Sequence, residues 1–196
     1  MNVGTKSLLF GAHQFILHPI FVFAAWWKLY RFPHDPRLWI AFIVHDWGYW
    51  GSPNMDGPEG EQHTLLGARI CYFLFGGYWK DFCLLHSRFV AKQLDLSVSR
   101  LCYADKLSIV MEPPWLYLPR VRLSGEIREY MALAKARTAI GEPKYASMKI
   151  CADNEQRWFA DLQEYLRRWI AEHKDGRKDM WTPCIKTAAS ESGVWK

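Results

Sequence analysis

The chain lacks internal repeats and low-complexity tracts, and none of its apolar stretches alternates with period two. These absences exclude a solenoid and a strand-built fold. Cysteine is sparse: Cys71, Cys83, Cys102, Cys151 and Cys184 are odd in number, form no Cys-x-x-Cys pair and mostly lie in apolar stretches. That pattern reads as buried, reduced thiols rather than a disulfide framework. The N-terminus has no basic segment followed by a short apolar run and a small-residue cleavage site, so export is not expected and the cytoplasm is the expected location. Excess charge of one sign is also small, with 25 Lys and Arg against 20 Asp and Glu, evenly scattered. This is not the concentrated basic footprint of a duplex nucleic-acid binder, though it is compatible with a phosphate-bearing small molecule.

Charge is missing altogether from 7–27, a run of 21 residues with no Asp, Glu, Lys or Arg. That is about the length of a bilayer span. His13, Gln14, His18 and Pro19 inside it argue for a buried core helix instead, so a membrane partner is not expected.

What the chain does have is aromatic bulk: 11 Trp, 11 Phe and 9 Tyr in 196 residues, half of them apolar. This suits one compact domain with a large core and excludes a disordered chain. Three-and-four spacing of the apolar residues predicts an all-α helical bundle. A first helix is expected from Ser7, or from Pro19, to Tyr30, with Pro33 and Pro36 breaking it. Others are expected over 37–45, 61–75, 79–93 and 99–112, the last ended by Pro113 and Pro114. Ser124 caps a helix to Ala139, and Asn154 or Asp153 caps one with the apolar stripe Phe159, Leu162, Leu166, Trp169 and Ile170. The helical domain thus spans 1–173. Residues 174–196 read as a loosely held tail that Trp181 and Trp195 could dock.

Four histidines and two aspartates fall on successive elements: His18, the adjacent His45 and Asp46, His63, His86 and Asp105. In a bundle their nitrogens and oxygens can converge on one interior point. His13 or His34 could replace His18 in the first helix. Asp105 lies inside the apolar run from Leu101 to Val110, and His45-Asp46 ends the apolar run 38–44, where buried charge needs a partner. Imidazole and carboxylate both accept divalent ions. Six such ligands exceed the need of one ion with an open position, which points to a two-metal site.

The order of these residues resembles the HD-domain superfamily of metal-dependent phosphohydrolases. The segments that carry it are 18–25 (HPIFVFAA), 41–48 (AFIVHDWG), 61–68 (EQHTLLGA), 84–88 (LLHSR) and 103–108 (YADKLS), within a motif core of 12–111. Nothing transferable is found from Glu112 onward. The resemblance implies a compact HD-type bundle holding two divalent ions (Mn, Fe, Co, Ni or Mg) on His18, His45, Asp46, His63, His86 and Asp105. It also implies hydrolysis of a phosphate ester or anhydride, often in a nucleotide, by attack of a metal-bound hydroxide, with Asp46 bridging the ions.

Departures narrow the family reading. After Asp46 stands Trp47-Gly48-Tyr49-Trp50, without the Glu-Asp pair of alarmone hydrolases. The extended GYP motif of cyclic-dinucleotide phosphodiesterases and the Gly-His-Gly of large deoxynucleoside triphosphohydrolases are also missing. Compact nucleotide phosphohydrolases and dinucleoside polyphosphate hydrolases remain. Lys106 is expected to act in catalysis by stabilising phosphate charge, Arg88 to bind the substrate, and Arg120 and Arg122, with Arg128, to form a phosphate clamp beside Trp115 and Tyr117. Two other readings stand: an HD-type mixed-valent di-iron oxygenase, and a non-catalytic scaffold or membrane-attached module. Substrate identity and oligomeric state are not legible.

Overall fold

Apolar residues at helical spacing, punctuated by Gly, Pro and capping side chains, give an all-α architecture. The computed structural model describes residues 1–57, 59–140 and 150–182, and no strand occurs among them. Its helices are α1 (Val3–Phe10), α2 (Leu17–Tyr30), α3 (Pro36–Val44), α4 (Thr64–Phe75), α5 (Gly77–Leu84), α6 (Arg88–Gln93), α7 (Arg100–Met111), α8 (Pro114–Ser124), α9 (Glu126–Ile140) and α10 (Glu155–His173). Short 3₁₀ turns at Trp47–Tyr49 and Gly60–His63 bracket the loop between α3 and α4.

Local chemistry explains several boundaries. Asp35 accepts from the Arg37 amide while Pro36 occupies the first turn of α3, so the cap and a pre-set φ cooperate. Ser87 accepts from the Val90 amide to start α6. Asn154 accepts from the Arg157 amide, 3.0 Å away, to start α10. Gly125, at φ 91°, takes the left-handed turn that ends α8, a conformation glycine adopts without strain.

Three predicted elements differ from the structure. The helix expected from Ser7 is two helices, because Glu126 of α9 reaches the chain between α1 and α2; the alternative start at Pro19 falls in the first turn of α2. Its carboxylate accepts from the Ala12 amide at 3.0 Å and from the Ser7 hydroxyl at 2.7 Å. A buried acceptor thus satisfies an amide released at the break. The uncharged run is interrupted as a result, and no helix among the described residues is long and apolar enough to cross a membrane. The predicted 79–93 helix is also two. The Leu85 carbonyl accepts from the Ser99 amide at 2.9 Å and Ser87 opens a new helix, leaving His86 at the junction. Finally, Pro113 and Pro114 end α7 but also start α8, a helix that the apolar spacing does not predict; proline at a first turn gives up no intrahelical bond.

Two apolar clusters flank the interior. One joins α2, α3, α4, α5 and α7 around Val22, Trp26, Phe42, Cys83 and Leu101, with Trp169 of α10. The other joins α8, α9 and α10 around Tyr117, Val121, Trp158 and Phe159. Cys71, Cys83 and Cys102 are buried and Cys151 is half-buried, all four as free thiols; Cys184 lies outside the described residues. Trp181 packs against both clusters, and Lys92 donates to the Asp179 carbonyl at 2.8 Å. Trp195 and the rest of the tail from 183, like Gly141 and Pro143, lie outside the described residues.

α4 comes close to the end of α3 at Gly67. A Cβ there would stand 2.6 Å from the Val44 carbonyl oxygen and 2.8 Å from His45 Cα. Gly67→Ala is therefore expected to cost about 1–3 kcal/mol in urea unfolding. Gly77→Ala, where a Cβ meets nothing within 4 Å, is the control, expected to be neutral or stabilising by up to about 1 kcal/mol.

Candidate metal centre

The six predicted ligands come from five places in the fold: His18 from α2, His45 and Asp46 from the end of α3, His63 from the 3₁₀ turn before α4, His86 from the α5–α6 junction and Asp105 from α7. All are buried. They form two sets that could each hold a metal ion, His18, His45, Asp46 and Asp105 in one and Asp46, His63 and His86 in the other. Asp46 belongs to both. Its Oδ2 lies 3.1 Å from His18 Nε2 and 3.0 Å from His45 Nε2. Its Oδ1 lies 3.2 Å from His86 Nε2 and 3.7 Å from His63 Nε2. Asp105 Oδ1 closes the first set, 3.2 Å from His18 Nε2.

The backbone decides which nitrogen of each ring faces inward. His45 Nδ1 lies 3.0 Å from the Phe42 carbonyl, His63 Nδ1 2.7 Å from the Gly60 carbonyl, and His86 Nδ1 against the Cys83 carbonyl. A carbonyl only accepts, so Nδ1 carries a hydrogen and Nε2 is the nitrogen that faces the centre, with a lone pair where the ring is neutral. His63 and His86 then oppose one another, Nε2 to Nε2, at 3.1 Å. Burial and the neighbouring His86 push His63 down to about 3, and burial lowers His86 as well. Two neutral imidazoles pointing lone pairs at each other repel unless a cation sits between them and the Asp46 carboxylate. The donor set fits divalent cations.

The other half of the centre has the opposite electrostatics. Burial opposes charge there, but Asp46 and Asp105 push His45 up to about 10 and raise His18. Burial also disfavours ionised carboxylates. Even so, His45 and His13 hold Asp46 well below the usual range, and Lys106 with His18 does the same for Asp105.

Gly48 lets the chain pass under the 3₁₀ turn, since a Cβ there would overlap the His63 backbone. Tyr49 stacks on the His63 ring at 4.2 Å with the planes 6° apart.

A cavity of about 290 Å³ opens beside the centre, lined by His13, His18, His63, Arg88, Lys106 and the aromatic rings of Tyr117, Tyr130 and Trp158 among others. Lys106 Nζ lies 2.7 Å from Asp105 Oδ2. Arg88 lies over Trp169 and Tyr165, 4.8 and 5.4 Å from the ring centres, and donates to the Tyr165 hydroxyl at 3.1 Å. The expected arginine clamp is placed elsewhere. Arg120 donates to the Gly11 carbonyl at 2.9 Å and pairs with Glu112; Arg122 pairs with Glu155 on the surface. Neither lines the cavity, because α8 turns both away from it. Arg128 is exposed.

His13, weighed as an alternative to His18, stands at the cavity wall with Nε2 4.0 Å from Asp46 Oδ2, whereas His34 contacts Phe32 far along the chain. The Ser7 hydroxyl donates to Glu126 and lies 2.9 Å from His13 Nδ1. Glu126 and Ser7 were missed from the sequence, being 119 positions apart; no local spacing signals their meeting.

Comparison with known proteins gives no match: no family model, curated protein or solved structure is similar to this chain. The fold and the buried His/Asp cluster are compatible with an HD-type domain.

Added Mn²⁺, at about 100 times its dissociation constant, is expected to raise the unfolding free energy by about 2.7 kcal/mol, with reversal by a chelator. Because His45 holds a proton at neutral pH in the absence of metal, loading at pH 7 is expected to release protons. Urea unfolding with and without the ion measures the first and calorimetric titration in buffers of different ionisation heat the second; no stabilisation together with a silent titration would refute the centre.

Proposed function

We propose that the chain is a metal-dependent phosphohydrolase acting on a phosphate ester or anhydride in a nucleotide-sized molecule. The single observation that carries the reading is the opposition of His63 Nε2 and His86 Nε2 at 3.1 Å beside Asp46 Oδ1, next to a cavity that Lys106 and Arg88 also line. Two divalent cations, on His18, His45, Asp46 and Asp105 and on Asp46, His63 and His86, would supply a nucleophile from water near neutral pH and a counter-charge for phosphate oxygens.

The chain's own residues do the rest. Arg88 is a half-buried guanidinium at the cavity wall whose one hydrogen-bond partner among the described residues is a neutral phenol. Such a group favours an anionic ligand that can take its remaining donors. Lys106 adds a second positive charge at the same wall, shared with Asp105. Tyr130 lies parallel to Trp158, their ring planes 10° apart, and offers a flat aromatic surface suited to a base. A cavity near 290 Å³ is at the small end of ligand sites, which favours a mononucleotide over a dinucleoside polyphosphate.

The di-iron oxygenase reading shares the ligands, so the two cavity cations are what favour the hydrolase. Anaerobic phosphate release from a nucleoside mono-, di- and triphosphate series with Mn²⁺ or Mg²⁺ tests it. Asp46→Ala and His45→Ala are each expected to lower kcat/KM by a factor on the order of 10² or more, with helicity retained. Oxygen consumption by the iron-loaded chain without phosphate release would overturn the reading. Arg88→Ala is expected to raise KM about tenfold with a smaller change in kcat; an unchanged KM would remove Arg88 from the substrate.

A further inference from the structure

The uncharged run 7–27 is only partly used by the core. α2 turns His18, Val22, Ala25 and Trp26 inward but leaves Ile20 and Trp27 57% and 55% exposed. On the neighbouring segment Phe32, Trp39 and Ile43 are 39%, 45% and 42% exposed. These side chains adjoin. Phe32 contacts Trp27 and Trp39 with ring centres 5.6 and 6.2 Å apart, and half-buried Phe23 touches all three rings. Ile20 lies two turns before Trp27, and Ile43 one turn after Trp39. The Trp39 indole N–H is spent on the Pro33 carbonyl at 2.8 Å, so its outer surface is apolar. A contiguous patch of this kind marks a surface that meets something other than water.

Charge decides what it meets. Lys28 and Arg31 are exposed beside the patch. The one acid between Met1 and His45 is Asp35, and its carboxylate is held by the Arg37 guanidinium at 2.7 Å. Arg31 stands at φ 77°, a conformation that glycine would adopt freely, yet the position carries a cation. A second copy of the chain on a two-fold axis would set the same basic rim against itself. An anionic bilayer complements both the cations and the tryptophans, whose rings favour the headgroup layer.

We propose that the outer face of α2 and α3 docks the protein on an anionic lipid surface, lying on the bilayer without crossing it. This claim is independent of the phosphohydrolase reading.

Co-sedimentation of the full, metal-loaded chain with vesicles tests it. Binding is expected to vesicles of phosphatidylcholine with phosphatidylserine, to be weak on phosphatidylcholine alone, and to fall in high salt. Ile20→Glu and Trp39→Glu are each expected to reduce the bound fraction about tenfold. Leu123→Glu, at an exposed apolar position on α8, is expected to leave it unchanged, with circular dichroism confirming the helices in all three. Failure to sediment with the serine-containing vesicles overturns the proposal, as does equal binding to both vesicle types or equal loss in all three variants. A solution dimer dissociated by Trp39→Glu would give the face to a second copy and also overturn it.

Discussion

The interior site depends on imidazole nitrogens and carboxylate oxygens crowded together out of solvent. Imidazoles at this depth cannot be left facing one another and a carboxylate without compensation, because burial weakens the screening of their charges and dipoles. The backbone enforces the arrangement: carbonyls of Phe42, Gly60 and Cys83 take the Nδ1 hydrogens and so commit the Nε2 atoms to the centre. The cost of that commitment is carried by the packing of α2 on α7 and of α4 on α5, which holds the rings in place before any ion arrives. A pre-formed donor set of this kind loses little ordering entropy on loading.

The two halves of the centre are electrostatically unlike. Around His18 and His45 two carboxylates favour the charged imidazole; around His63 and His86 burial keeps the rings neutral. Asp46 spans both through its separate oxygens. One residue at the C-terminal end of α3 therefore sets the polarity of the whole site, and the close approach of Gly67 to His45 fixes where that residue stands.

How much of this was legible in the sequence varies with the range of the interaction responsible. His45, Asp46 and Asp105 stood out because each interrupts an apolar run, a local signal that survives without knowledge of the fold. The starts of α3 and α10 were legible for the same reason, since Pro36 and Asn154 act within a few residues; Ser87 acts as locally, but it stands inside a continuous helical pattern and its helix start was not expected. Pro19 signalled the start of α2, but the separate α1 was not legible, because the group that stabilises the break, Glu126, arrives from α9. The fate of Arg120 and Arg122 was hidden too. Their spacing beside Tyr117 suited a clamp, but side-chain direction on α8 depends on which face that helix buries against α1 and α10. Pro113 and Pro114 were read as a stop and serve equally as a start, an ambiguity that proline carries in any helical chain.

The carboxylate of Glu126 joins segments separated by more than half the chain, the Ala12 amide being 114 positions away. A contact closed over so long a loop forms only after most of the entropy of the intervening chain has been surrendered. During synthesis, the corner where α1 gives way to α2, and with it the wall that seats His13, stays unfinished until α9 has left the ribosome.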